Sequence, residues 1–402
     1  MIRNIDSILE SVSVTHKFKN DKVIFLNTSD VSEGKILIDT YVNVNSLKGQ
    51  AKKSIKNDDI LYSEIRPKNK RYAYVKVKNP EDFVVSTKLM VLRNKTNDVL
   101  TKYVYYFLTY DGTLDYLQMR AENRICSFPQ ITFDIVKILD LNVPDLKIQY
   151  KIVDVIQSID SKIELNNRIN TELETMAKTL YDYWFVQFDF PDEKGRTYKT
   201  SGGKMVWNEE LKREIPEGWG VGKLSDIANI TMGQSPPGES YNEKSEGMIF
   251  FQGCTDFGNR FPTVRLFTSK PTRFAKSGDI LLSVRAPVGT LNIANKDCCI
   301  GRGLAALNSK TNAITYLFGV MRNLKQIFDR RNSDGTTFGS ITKDDLFSLK
   351  VIKPNSEILT SYEDIIKPAF EKQNTIELEN EQLSSLRDWL LPMLMNGQIR
   401  MR

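Results

Sequence analysis

Lys56-Asn57-Asp58-Asp59-Ile60-Leu61-Tyr62-Ser63 recurs as Lys276-Ser277-Gly278-Asp279-Ile280-Leu281-Leu282-Ser283, and each copy is followed within a few residues by an arginine, Arg66 or Arg285. Two further stretches repeat in the same order. Cys126-Ser127-Phe128-Pro129-Gln130-Ile131-Thr132 returns as Thr336-Thr337-Phe338-Gly339-Ser340-Ile341-Thr342, and Ile163-Glu164-Leu165-Asn166-Asn167 returns as Ile376-Glu377-Leu378-Glu379-Asn380. A period of about 210 residues is far too long for a solenoid and fits a duplicated domain with a trailing helix. The 402 residues therefore read as one lobe presented twice.

Around these repeats the chain is strand-and-turn sequence: short β-branched runs broken by Gly, Asn and Asp, such as 23–31 and 34–44 in the first half and 248–258 and 279–294 in the second. Each half then ends in a helical pattern. Apolar residues at Ile152, Val155, Ile159, Ile169, Leu173, Met176, Leu180 and Tyr183 follow a 4-3 spacing that Lys162 and Asn166 interrupt in register. Ile376, Leu383, Leu386, Leu390 and Met393 supply a partner stripe, although two unrelated core helices would give similar patterns. The expected organisation is a first lobe over 1–146, a long helix over 147–188, a polar, glycine-rich linker over 189–217, a second lobe over 218–354 and a second long helix over 355–402.

Composition narrows the chemistry. His16 is the only histidine, so Ser-His-Asp and Cys-His arrangements and histidine zinc sites have at most one candidate. Four cysteines, Cys126, Cys254, Cys298 and Cys299, lack C-x-x-C spacing and read as reduced thiols. No Walker run or complete G-x-G-x-x-G is present, and Gly301-Arg302-Gly303 stops short. No cofactor and no metal are expected. Asp192, Glu210 and Lys212 match the spacing of a metal-dependent nuclease, but the polar, glycine-rich sequence between them lacks the rigid apolar strands such a site needs. No apolar run approaches the roughly 20 residues of a membrane helix, and the N-terminal sequence lacks a signal-peptide pattern, so a cytoplasmic protein is expected.

The net charge of +6 is unevenly spread: residues 1–146 carry +4, residues 218–354 carry +7, and the remainder carries −5. Basic lobes fit contact with nucleic acid, where phosphate neutralisation supplies most of the sequence-independent affinity, and solubility alone would also favour them. The densest run, Arg66 to Lys78, holds Arg66, Lys68, Lys70, Arg71, Lys76 and Lys78 without an acid. It reads as a DNA-contacting edge or as an ordinary exposed hairpin.

Several stretches then resemble the specificity subunits of type I restriction-modification systems. They are Glu172 to Phe188 with its Tyr181-Asp182-Tyr183-Trp184-Phe185, Ile215-Pro216-Glu217-Gly218-Trp219, Gly233-Gln234-Ser235-Pro236, Gly335-Thr336-Thr337, and Leu386 to Ile399. The resemblance spans essentially the whole chain. The first lobe departs from it, having no Gly-Gln-Ser-Pro and Cys126-Ser127 in place of Thr-Thr.

The resemblance implies an α+β fold: two similar, mainly-β target recognition domains separated by two long antiparallel coiled-coil helices in a pseudo-twofold arrangement. It implies that each domain reads one half of a split double-stranded DNA site, while two methyltransferase subunits methylate adenine and motor-nuclease subunits cleave. The chain itself would be non-catalytic. Candidate DNA contacts are Arg66, Lys68, Lys70, Arg71, Arg124 and Ser127 in the first lobe, and Gln234, Ser235, Arg285, Arg302, Thr336 and Thr337 in the second. The Gly-Gln-Ser-Pro and Gly-Thr-Thr segments could equally be structural turns. Alternatives are a scaffold that recruits partners through paired helices, and a stand-alone nuclease using Asp192, Glu210 and Lys212.

Overall fold

The computed structural model describes residues 1–47, 49–123, 129–333 and 340–399. Two compact units partition the chain: Met1–Glu164 with Glu381–Arg402, and Leu165–Asn380.

In the first unit, Leu9–Val12, Leu89–Asn94, Ile60–Ser63 and Tyr72–Tyr74 form an antiparallel sheet. A second sheet orders Val42–Asn43, Lys22–Leu26, Phe83–Ser86 and Ala51–Ser54, and its central pair, Lys22–Leu26 with Phe83–Ser86, is parallel. Side chains alternate across a strand, so the Ile60–Ser63 strand serves two cores. Ile60 and Tyr62 pack toward helices Thr101–Thr109 and Asp111–Glu122, whereas Leu61 joins Val85 and Val91 between the sheets.

The second unit builds the same plan. Ala228–Met232, Leu304–Ser309, Ile280–Ser283 and Leu291–Ile293 form the antiparallel sheet, and the five-stranded partner again contains one parallel pair, Met248–Phe251 with Cys298–Ile300. Ile280 and Leu282 face the helical core while Leu281 faces the intersheet core.

Polar contacts repeat with the strands. Asp59 accepts from the Lys56 amide (2.7 Å), as Asp279 does from the Lys276 amide (2.8 Å). The Tyr103 hydroxyl donates to the Asn142 carbonyl (2.8 Å), as Tyr316 does to Ile352 (2.7 Å). The duplication read from the sequence is therefore a duplication of hydrogen bonds as well as of strands.

The long helices are Leu146–Tyr181, continued by a π-helical turn at Asp182–Val186, and Ser356–Met395. Their pairing runs antiparallel. In the second unit Asn166, 1% exposed, donates to Asn380 Oδ1 (2.9 Å) and Glu379 (2.8 Å), and Asn170 donates to Glu377 (3.3 Å). In the first unit Arg387 reaches Asp160 (3.3 Å), and Ile152 and Ile156 share a core with Leu391 and Leu394. Asn166 thus occupies the seam, as its place in the apolar pattern predicts.

The stripe itself needs correction. Lys162 is exposed, as are Met176, Tyr183 and Leu386, while Tyr181, Trp184 and Phe185 turn into an aromatic core with Tyr316 and Tyr362. A strict 4-3 spacing assumes 3.5 residues per turn, and a straight helix drifts about 20° per heptad from that repeat. The π-helical turn displaces the pattern further.

The segment read as a linker is ordered over its described length. Met205–Asn208 pairs with Arg213–Pro216, and Phe190 stacks between Tyr198 (4.6 Å) and Trp219 (4.9 Å). Phe188, Phe190, Ile215 and Trp219 belong to the main core of the second unit. The nuclease-like triplet is not assembled as a site: Asp192 is held by Arg196 (2.9 Å), Glu210 pairs with Lys350, and Lys212 pairs with Glu209 (2.8 Å). Among the described residues no helix is long and apolar enough to cross a membrane.

Candidate nucleic-acid interface

The second-unit site begins with three glycines. Gly233 donates to the Leu304 carbonyl (2.9 Å), and a Cβ at Gly233 would collide with the Gly301 carbonyl oxygen. Cβ atoms at Gly301 and Gly303 would meet the backbone of Gln252 at 2.9 and 2.8 Å. Only glycine lets these segments pass so closely, so Gly233 and the Gly301-Arg302-Gly303 turn are structural requirements that set Arg302 between two tight crossings. The Arg302 amide donates to Ser235 Oγ (3.3 Å), which fixes the serine beside it.

Arg285 arrives from the opposite side. It follows the buried strand Ile280–Ser283, and the Ser283 hydroxyl lies 2.7 Å from the Arg285 carbonyl and 2.8 Å from that of Pro287, clamping the turn. Ser235, Gln252, Gly253, Thr255, Arg285 and Arg302 then line an open cleft of about 210 Å³. Both arginines are exposed, and among the described residues neither guanidinium makes a hydrogen bond or an ion pair. Two free guanidinium forks over a polar cleft can hold phosphate or the acceptor edge of guanine, and Gln252 and Thr255 add amide and hydroxyl groups.

Gln234 lies just outside this cleft. Its amide donates to Ile300 (3.0 Å), its carbonyl accepts from Thr272, and its side chain is exposed. Thr336 and Thr337 fall outside the described residues, but the chain just beyond them is placed, with Ser340 in a β-bridge to Arg285.

The first-unit site is built on the same register and armed differently. Ile65 bridges Gln130 as Arg285 bridges Ser340, and the Ile131 and Ile341 amides donate equivalently to Glu64 and Val284, both at 2.8 Å. The structural counterpart of Arg285 is therefore Ile65, and Arg66 lies one residue further on. Arg66 adopts a left-handed φ of 44° and is exposed, and its amide donates to Pro129 (3.1 Å). Arg124 and Ser127 are outside the described residues.

The basic run beyond Arg66 does not stand without acids in the fold. Lys68 pairs with Asp115 (3.0 Å) and Lys70 with Asp111 (3.2 Å), both from helix Asp111–Glu122. The hydrogen bond that Lys68 donates to Asp115 holds its ammonium above its ordinary pKa. Arg71 directs its guanidinium to the carbonyls of Ser29 (3.2 Å) and Val31 (3.4 Å). The structure thus brings Ser235, Arg285 and Arg302 together and places Arg66 at the equivalent tip, while Lys68, Lys70 and Arg71 are engaged within the lobe. Gln252, Gly253 and Thr255 went unnoticed in the sequence, because they are ordinary polar residues after an apolar strand.

The type I restriction modification DNA specificity domain matches residues 10–175 and again residues 216–386. The chain is 32% identical to the type I restriction enzyme HindI specificity subunit of Haemophilus influenzae over 94% of each chain. It is 30% identical to a putative MjaX specificity subunit of Methanocaldococcus jannaschii, over all of this chain and 94% of that one. The crystal structure of a type I restriction-modification S subunit from M. genitalium shares the fold, with a TM-score of 0.58 at 16% identity, covering 100% of this chain and 96% of that one. Two matches to one specificity domain, falling on two lobes of one design, place this chain in the family of type I restriction-modification DNA specificity subunits.

Proposed function

We propose that each lobe reads one half of a bipartite DNA site and that the long helices set the distance between the halves. The observation that supports this reading is the recurrence, within one residue of the same structural register, of an exposed arginine beside the tip strand: Arg66 in one lobe and Arg285 in the other. In the second lobe Arg285, Arg302, Ser235 and Gln252 make the DNA contacts, with Gln234, Thr336 and Thr337 at its margin. In the first, Arg66, Arg124 and Ser127 contact DNA, and Lys68, Lys70 and Arg71 contribute mainly to the field around it.

The chain supplies recognition and its partners supply chemistry. Two methyltransferase subunits dock on the long helices, where Met176, Leu180, Tyr183 and Ile365 line an apolar groove in the second unit, and motor-nuclease subunits join that assembly in the cytoplasm.

Helix length offers the test. Leu146–Tyr181 spans 36 residues, about 54 Å at ~1.5 Å per residue. Inserting one heptad into each long helix should lengthen the pair by about 10 Å, roughly three base pairs. The adenine methylome of cells carrying this variant is expected to keep both half-sites with a longer spacer. An unchanged spacer would overturn the reading.

A further inference from the structure

Arg260 carries a charge that its surroundings leave unanswered. Its guanidinium lies 4.3 Å over the Phe370 ring, and it donates to Asn374 Oδ1 (2.5 Å) and the Phe370 carbonyl (3.2 Å), all neutral partners. Among the described residues no carboxylate forms an ion pair with it, and burial pushes its pKa down to about 10 against the longer-range pull of Glu174 and Glu377. A desolvated, unpaired cation is costly unless something answers it.

Beside Arg260 lies a cavity of about 490 Å³, walled by Phe318, Phe370, Tyr181 and Tyr362, with Thr315 and Gly319 also lining it. The other charges on its wall are matched: Arg322 with Glu174 (3.2 Å), Lys178 with Asp182 (2.6 Å) and Lys325 with Asp329 (2.9 Å). Arg260 alone is left over. A volume of a few hundred Å³ with aromatic walls and one convergent charge is the usual form of a small-ligand site.

The duplicated lobe shows what closes the equivalent place. The matching hydrogen bonds of Tyr103 and Tyr316 align Lys102, Tyr105 and Tyr106 with Thr315, Phe318 and Gly319. In the first unit the Lys102 ammonium sits 4.3 Å from the ring centres of Tyr74 and Tyr105 and 5.2 Å from that of Tyr106, so rings and a built-in cation occupy the space. In the second unit Tyr181 packs against Gly319 in place of a ring at that position, residue 315 is a threonine, and the cation on the cavity wall comes instead from Arg260.

We propose that this cavity binds a small organic oxyanion carrying a planar ring, with the oxyanion on Arg260 and the ring among Phe318, Phe370 and Tyr181. The planar guanidinium suits a carboxylate or a phosphate in two-point contact. Nothing in the DNA-reading role requires such a ligand.

Calorimetric titration of the full chain with benzoate and phenyl phosphate, and with acetate and inorganic phosphate as ringless controls, tests the proposal. One ring-bearing anion is expected to bind with one-to-one stoichiometry at millimolar concentration or below, and its ringless control more weakly. Preference for benzoate marks a carboxylate ligand, and preference for phenyl phosphate a phosphate. Arg260→Gln should weaken binding about tenfold or more, the loss expected for a charge-assisted contact, and Arg260→Lys should weaken it less. Asn323→Trp, at an exposed residue of the cavity lining, should block binding while leaving circular dichroism unchanged, and it decides the matter if Arg260→Gln fails to fold. Absence of binding by both ring-bearing anions, or binding indifferent to Asn323→Trp and Arg260→Lys, would overturn it.

Discussion

The two lobes share a scaffold and differ in how its fixed points are completed. Asp59, 1% exposed, accepts two hydrogen bonds from Arg93 (2.6 and 2.7 Å), whereas Asp279, at the same register, accepts from the neutral Asn308 (2.8 Å). At the tips the contrast reverses. The first lobe engages Lys68 and Lys70 in ion pairs, while in the second Arg285 and Arg302 line a cleft with no side-chain partner among the described residues. A duplicated fold can therefore keep its strands and hydrogen-bond register while each copy acquires its own tip surface, as the proposed reading of two unlike half-sites requires.

The scaffold contrast breaks most visibly in stability. Asp59→Ala strands the partly exposed Arg93 and should destabilise the first lobe by about 2–4 kcal/mol, short of the cost of leaving a fully buried charge without its partner. Asp279→Ala strands only an amide and should cost about 1–3 kcal/mol. Urea unfolding followed separately in each lobe checks this, and equal losses would show that the partners at 93 and 308 do not matter.

The tip contrast is smaller. Arg285→Ala and Arg302→Ala should each weaken specific DNA binding by about 1–3 kcal/mol if they reach base edges. Lys68→Ala and Lys70→Ala, already paired with Asp115 and Asp111, should each weaken it less than either arginine. Competition binding at two salt concentrations separates base readers from phosphate contacts, because only the loss of the latter flattens the salt dependence.

The smallest effect concerns pH. Burial lowers Lys102 to about 8 from an ordinary value of 10.5, so between those values the unfolded chain binds the extra proton. Asp160 opposes that shift, Lys76 adds to it, and the caging rings of Tyr74, Tyr105 and Tyr106 favour the charged form. The Lys102 contribution therefore rises as pH climbs from about 8 toward 10 and is unfavourable below 8. Lys102→Met should raise stability at pH 7 by about 1 kcal/mol and flatten that rise. Thermal denaturation at pH 7 and 9 reads both, and the second lobe, with Thr315 at this place, should show neither.

The duplication, the mainly-β lobes and the seam asparagine were legible in the sequence because each depends on local order: Asp59-Ile60-Leu61 and Asp279-Ile280-Leu281 form the same turn and strand wherever they occur. The state of the basic run was not legible. Its acids lie more than forty residues along the chain on another element, as Asp115 does for Lys68. The repeat read from the sequence places an arginine within a few residues of each copy, and the backbone bridges Ile65–Gln130 and Arg285–Ser340 set Arg66 one residue past the counterpart of Arg285. Met176 and Tyr183 were assigned inward because a strict heptad ignores helical drift and the π-helical turn. Gln252 and Thr255 carry no signal without the glycine crossings that fold them beside Arg302.

The most direct test exchanges one lobe and reads both halves of the site. Residues 218–354 would be replaced by the corresponding lobe of a relative with a different target, and the adenine methylome of the host sequenced. One half-site should change to that of the donor while the other half-site and the spacer stay as they were. A motif altered in both halves, or in neither, would contradict the assignment of one half-site to each lobe.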